Sequence, residues 1–252
     1  MTDRILEVKN LTKTFCSHNQ CLMAVDQVSF FLNQGECLGI VGESGSGKST
    51  LAKMITRLTD PSRGEIYLMG KDITHMRGRE LREAYRHMQM VFQMPVESFD
   101  PRHTLGSGIG ESLRNQGMNR REARKKVEEL LVSCGLTADF ADRYPHEISG
   151  GQCQRAAIAR ALAVQPSVLI CDEATSALDV TVQKQILELL LELKKTNKLS
   201  FIFISHDLAL VQAICDRVLV MYDGKIVEEG TPEDIIDNPK EAYTQLLVDS
   251  VL

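Results

Sequence analysis

Residues Cys37–Val41 form an unbroken apolar run that leads directly into Gly42-Glu43-Ser44-Gly45-Ser46-Gly47-Lys48-Ser49-Thr50. Beyond it, Leu51, Met54, Ile55 and Leu58 recur at helical spacing. A continuous apolar run of strand length is the pattern of a strand buried on both faces. Strand, glycine loop and helix in succession restrict the chain to an α/β architecture in which the loop wraps an anion. The glycines let successive backbone N–H groups turn inward towards phosphate oxygens. The helix that starts at the loop presents its positive end to the same anion. Lys48 adds a point charge for β- and γ-phosphates, and Ser49 offers a hydroxyl to Mg²⁺. By itself this loop serves kinases, GTPases, helicases and transport ATPases alike.

The remaining pattern fills in the architecture. Ile5, Leu6, Val8 and Leu11 open with partial alternation, and Val25, Val28, Phe30 and Leu32 read as a second strand ending at Asn33-Gln34-Gly35. From about Asp100 to Arg160 the pattern is helical and strand-poor; Ala123, Val127, Leu130, Leu131 and Cys134 mark one amphipathic helix. The basic run Arg120–Lys126 reads as that helix's solvated face. Strand runs then resume at Val168–Asp172, Ser200–Ser205, Arg217–Tyr222 and Lys225–Glu228, with Ile186, Leu189, Leu190 and Leu193 marking a helix between the first two. The expected organisation is a single domain over 1–252. A nucleotide-binding core of about 1–99 and 161–230 is interrupted by a helical lobe of about 100–160. Two short helices follow in 231–252.

Composition excludes several classes. The net charge of -5 argues against a nucleic-acid partner, which selects a basic excess. No apolar stretch approaches the ~20 residues needed to span a bilayer, so membrane association is expected to run through a partner. The N-terminus leads straight into a strand pattern, and no secretory signal is expected. The 7 cysteines include no Cys-x-x-Cys pair. Free thiols in a reduced compartment are expected, with Cys37 and Cys171 as buried small hydrophobes in strands. Cys134 and Cys215 are expected on apolar helix faces. Cys16, His18 and Cys21 lack the paired spacing of a metal site.

Asp172 closes the apolar run Val168–Cys171, which places its carboxylate at the sheet edge beside the phosphates, where it would hold Mg²⁺. Glu173 follows immediately and is positioned to take a proton from attacking water. One metal–phosphate site needs both this pair and the glycine loop.

With Ser149-Gly150-Gly151-Gln152 lying upstream of that pair, the chain resembles the nucleotide-binding subunit of ABC transporters over nearly its whole length. The resemblance implies a P-loop NTPase core of RecA type. Its sheet is mostly parallel, with added antiparallel β elements and an inserted helical subdomain. It also implies an ATPase that binds ATP and Mg²⁺ and works as a pair. Ser149–Gln152 correspond to the signature that meets the γ-phosphate held by the opposite subunit, with Ile148 standing where leucine is usual. Gln93, in Val91-Phe92-Gln93, resembles the glutamine that reaches Mg²⁺ and senses the membrane partner. Ser176-Ala177-Leu178-Asp179 resembles the D-loop at the dimer interface. His206 resembles the switch histidine at the γ-phosphate, and Phe15 stands where an aromatic stacks on adenine; a Phe at that place also suits a strand's core side. Ser49, Gln93 and Asp172 are the implied Mg²⁺ set, with Glu173 as base.

Val91–Pro101 and Tyr243-Thr244-Gln245-Leu246-Leu247 look like the peptide and nickel importer branch, although Met94 replaces that branch's acidic residue. Membership implies two transmembrane permease subunits and either a paralogous ATPase or a second copy. It further implies an extracytoplasmic solute-binding protein and a peripheral position on the cytoplasmic face of the cell membrane. The cargo class would be nickel, other metal chelates, or di- and oligopeptides. The chain lacks the cysteine-bearing C-terminal extension of longer members, so no iron–sulfur cluster is expected. Two other readings compete. One is a soluble ABC ATPase of DNA repair or translation, which usually carries two cassettes or a coiled-coil insertion. The other is a nucleotide-binding regulatory module without turnover.

Overall fold

A computed structural model describes residues 4–17, 20–174, 179–197 and 199–249. In chain order the first elements are β1 (Arg4–Ser17), β2 (Gln20–Asn33), β3 (Cys37–Val41), α1 (Lys48–Ile55), β4 (Arg63–Leu68), β5 (Lys71–Asp72), α2 (Gly78–His87) and β6 (Met88–Val91). A helical stretch follows: α3 (Leu105–Asn115), α4 (Arg120–Ser133) and α5 (Gly150–Leu162). The alternation then returns with β7 (Val168–Asp172), α6 (Val180–Asn197), β8 (Ser200–Ile204), α7 (Leu208–Ile214), β9 (Arg217–Tyr222) and β10 (Lys225–Gly230). Helices α8 (Pro232–Asp237) and α9 (Ala242–Asp249) close the described chain.

The main sheet has six strands in the order β10-β9-β3-β8-β7-β6. All neighbours in it are parallel except β9–β10. Every residue of β3, β7 and β8 is buried, as a parallel sheet covered on both faces requires. The period-two rule assigns their side chains to two separate cores. Cys37, Val41, Leu169, Cys171, Phe201 and Phe203 pack with the helices α3 to α6. Leu38, Ile40, Val168, Ile170, Ile202 and Ile204 pack against α1 and the second sheet. At about 1.5–3 kcal/mol per fully buried large side chain, these strands anchor the fold.

The second sheet is antiparallel, in the order β2-β1-β4-β5. Strands β1 and β2 are far longer than their apolar cores suggest, because β1 continues to Ser17 and pairs with β2 down to Gln20. That extension corrects the expectation of free thiols throughout. Cys16 and Cys21 stand directly opposite each other and form a disulfide, with Cα atoms 4.2 Å apart. Only four residues lie between them in sequence, and both sulfurs are committed to each other rather than to a metal. His18 lies outside the described residues. The remaining cysteines, Cys37, Cys134, Cys153, Cys171 and Cys215, are free and buried. Cys134 and Cys215 sit just past the ends of α4 and α7 rather than within them. Burial pushes the Cys134 and Cys153 thiols up to about 11, which keeps them unreactive.

Among the described residues, no helix is long and apolar enough to cross a membrane.

Candidate functional site

The glycine loop leaves β3 at the C-terminal edge of the main sheet, the edge where open α/β sheets bind ligands. Two of its glycines are required by close approach. A Cβ on Gly42, at φ 147°, would lie 2.1 Å from the Met221 carbonyl oxygen; one on Gly47, at φ 104°, would lie 2.3 Å from the Ala24 carbonyl oxygen. The loop is thus wedged between β9 and β2, and Gly47 starts α1 in a left-handed conformation open only to glycine at little cost. Lys48 is 3% exposed. Its ammonium donates to the carbonyls of Gly42 and Glu43, both at 2.7 Å, and to Ser46 Oγ at 3.4 Å. Burial draws its pKa below the ordinary lysine value, against the opposing pull of Glu173, Asp172 and Glu43.

Asp172 ends β7 opposite Ile204 of β8 and is 5% exposed. Ser49 Oγ, on the first turn of α1, donates to its Oδ1 at 3.0 Å. Burial raises the Asp172 pKa; Glu173 adds to the rise, while the Ser49 bond, Lys53 and Lys48 oppose it. Glu173 has a left-handed backbone, φ 46°, and its N–H donates to the Ile204 carbonyl at 3.0 Å. A non-glycine residue held there stores strain, a feature concentrated at functional sites. Its Oε2 accepts from Gln93 Nε2 at 2.6 Å. Gln93 follows β6, the edge strand paired to β7, so sheet register brings the two side chains together across 80 residues.

Two adjoining clefts of about 370 Å³ each open here. One is lined by Ser44, Gly45, Gly47, Lys48, Ser49, Thr50, Gln93 and Glu173, with Phe15 at its β1 side. The other joins Ser49, Gln93 and Asp172 to Lys53 and Phe92. Lys53, on α1 one turn beyond Ser49, is a residue that sequence reading missed; its (i, i+4) spacing from Ser49 was the available signal. Leu22 and Met23 also line the nucleotide-side cleft beside Phe15 and were missed, because β2 was expected to begin later. Phe15 is 46% exposed, which fits a stacking platform better than a core role. The donor set of Ser49 hydroxyl, Asp172 carboxylate and Gln93 amide oxygen is all oxygen. It fits Mg²⁺, which takes one or two carboxylates and completes its shell with phosphates and water. A buried carboxylate with a raised pKa is also one that a cation would relieve.

Other sequence-predicted residues stand apart from this cleft. Ser149 caps α5: its Oγ accepts from Gln152 N at 3.3 Å, while Gln152 Oε1 accepts from Ser149 N at 2.9 Å. The reciprocal pair is a capping box, readable from Ser-x-x-Gln. Gly150 and Gly151 form the helix's first turn, and a Cβ on Gly151 would meet Val182 at 2.5 Å. None of these four lines either cleft. Asp179 caps α6, accepting from Val182 N at 3.0 Å. Ser176, Ala177 and Leu178 lie outside the described residues. His206 is exposed at the bend between β8 and α7 and lines neither cleft.

Residues 25–176 match the ABC transporter domain. The chain is 46% identical over 247 residues to the oligopeptide transport ATP-binding protein OppF of Escherichia coli, covering 97% of this chain and 74% of that one. It is 47% identical over 258 residues to the oligopeptide transport ATP-binding protein AppF of Bacillus subtilis, covering 99% and 78%. The fold superposes on a dimeric, post-hydrolysis structure of the ATP-binding cassette MJ0796 bound to ADP and Pi. The TM-score is 0.83 at 31% identity, covering 90% of this chain and 98% of that one.

Proposed function

The chain belongs to the ABC transporter family, as an importer ATP-binding subunit of the peptide branch that couples ATP hydrolysis to transport, and from that premise we propose that it drives uptake of oligopeptides. In this reading two permeases form the path and a solute-binding protein delivers the cargo. The chain sits on the cytoplasmic face of the cell membrane and pairs with a paralogous ATPase or with itself.

The observation that carries the chemistry is the convergence of Lys48, Ser49, Gln93, Asp172 and Glu173 on one sheet edge. Lys48 meets the β- and γ-phosphates, aimed by the two carbonyls that hold its ammonium. Ser49, Asp172 and Gln93 would hold Mg²⁺, which neutralises charge on the phosphates when bound. Glu173 accepts the proton of the attacking water, and Gln93 holds its carboxylate until then. His206 approaches the γ-phosphate, Phe15 takes the adenine, and Ser149–Gln152 with Asp179 serve the opposite subunit's nucleotide.

Helix α5 offers a path for the motion. Its N-terminus carries Ser149, and near its other end Arg160 donates to the Ser98 carbonyl and stacks on Phe99 at 4.5 Å. Ser98 and Phe99 lie just beyond Gln93, in the segment that enters the lobe of about residues 100–160. A change at Gln93 thus reaches the signature through a rigid helix of 13 residues.

The peptide cargo is supported by both relatives, which are oligopeptide transport proteins. The test is a deletion strain requiring an amino acid supplied only as an oligopeptide. Wild-type chain restores growth and Lys48→Ala does not. Normal growth of the deletion strain, with loss of nickel-enzyme activity instead, would move the cargo to nickel.

A further inference from the structure

We propose that Tyr243, in α9, is a positioning residue of the nucleotide site that acts on Lys48 through a single peptide group of the glycine loop; this rests on the assignment of Lys48 to the phosphates given above. The peptide joining Gly42 to Glu43 carries two hydrogen bonds. Its N–H, on Glu43, donates to the Tyr243 hydroxyl at 2.8 Å. Its carbonyl, on Gly42, accepts from Lys48 Nζ at 2.7 Å. The peptide is planar and rigid, so fixing its N–H direction fixes the direction of its carbonyl. Hydrogen bonds in line through one peptide also polarise each other. The Tyr243 hydroxyl therefore sets where the ammonium of Lys48 is held.

The C-terminal segment is built to keep the hydroxyl in place. Glu228, on β10, is 9% exposed and accepts from the backbone N–H groups of Lys240 and Glu241 at 2.9 and 3.1 Å, which pins the entry to α9. Leu247 and Val248 seat the helix in the core. The Tyr243 ring lies against Tyr222, with centroids 4.1 Å apart. Tyr222 directly follows Met221, whose carbonyl crowds Gly42. The loop's first limb is thus gripped by β9 on one side and α9 on the other. Tyr243 does not line the cleft, so its effect passes through the backbone.

A tyrosine that merely anchors the C-terminal helix would give different kinetics from one that positions Lys48. Tyr243→Phe removes the acceptor and keeps the ring. Tyr222→Phe keeps the ring contact and touches no loop hydrogen bond. The full chain, wild type and each variant, is titrated with Mg·ATP for Kd, assayed for KM and kcat, and melted without nucleotide. Tyr243→Phe is expected to raise Kd and KM about 3–10-fold, with kcat within about twofold, the pattern of lost uniform binding. Tyr222→Phe should leave both constants at wild-type values. Unchanged Kd and KM in Tyr243→Phe would overturn the proposal. So would a fall in kcat and Tm at constant KM, or equal KM shifts in both variants. A wild-type chain that binds no ATP would remove the reading it rests on, and the inference with it.

Discussion

Exchange of Glu173 for glutamine should separate ATP binding from ATP hydrolysis. The change preserves size and shape. The left-handed backbone at φ 46° and the N–H bond to Ile204 do not depend on the carboxylate. The carboxamide oxygen can still accept from Gln93 Nε2, now 2.6 Å from Oε2. What is lost is the capacity to take a proton. Losing a general base costs about 10²–10⁴-fold, or about 3–5.5 kcal/mol in barrier. Electrostatics work in favour of binding. Glu173 is one of the groups raising the Asp172 pKa, so its removal lets Asp172 ionise more readily for Mg²⁺. The assay is phosphate release beside a Mg·ATP titration and size-exclusion chromatography with ATP. The variant should bind ATP as wild type does, accumulate as an ATP-bound dimer and turn over at least 100-fold more slowly. Turnover within tenfold of wild type would remove Glu173 from the base role, and loss of ATP binding would make it a structural residue of the site.

Asp172→Asn should abolish Mg²⁺-dependent turnover while raising the Tm of the nucleotide-free chain by about 1–3 °C. The sign follows from its raised folded pKa. The carboxylate's burial costs stability above that pKa, and the cost disappears as pH falls below the unfolded value. The Tm gain should therefore vanish in acid; a gain that persists there would refute this origin. Gly42→Ala forces a Cβ to within 2.1 Å of the Met221 carbonyl oxygen, at a φ alanine avoids. Urea unfolding should show a loss of about 2–4 kcal/mol together with lost ATP binding, and a wild-type midpoint would contradict the wedge. Thiol titration without reductant should find no fast-reacting cysteine in the native chain and 5 in denaturant; finding 7 would show Cys16 and Cys21 unpaired.

The cradle was legible because β3, the loop and α1 are contiguous, and each carries its own signal. β7, β8 and β9 were legible as apolar runs because both faces are buried. The stretch from Arg63 to His87 carries no legible pattern, since β4 buries only Ile66 and Leu68 and α2 buries only Ala84. With one or two anchors an element shows no periodicity. The outer half of the β1–β2 hairpin escaped for the same reason. Its residues past Lys13 are largely exposed, so the Cys16–Cys21 pairing had no pattern around it. Side-chain types suggested a phosphate and metal chemistry, but could not point to the carbonyls that hold Lys48. Nor could spacing reveal that Tyr243 meets Glu43, because only the packing of α9 brings them together.

The central claim is that this cassette powers a membrane importer. Affinity purification of the chain from its native membranes, with mass spectrometry of what remains bound, tests it most directly. Two permeases and a second ATP-binding subunit, or a second copy of this chain, should co-purify, together with Mg·ATP hydrolysis that Glu173→Gln eliminates. Recovery with ribosomes or DNA and no membrane protein would contradict it.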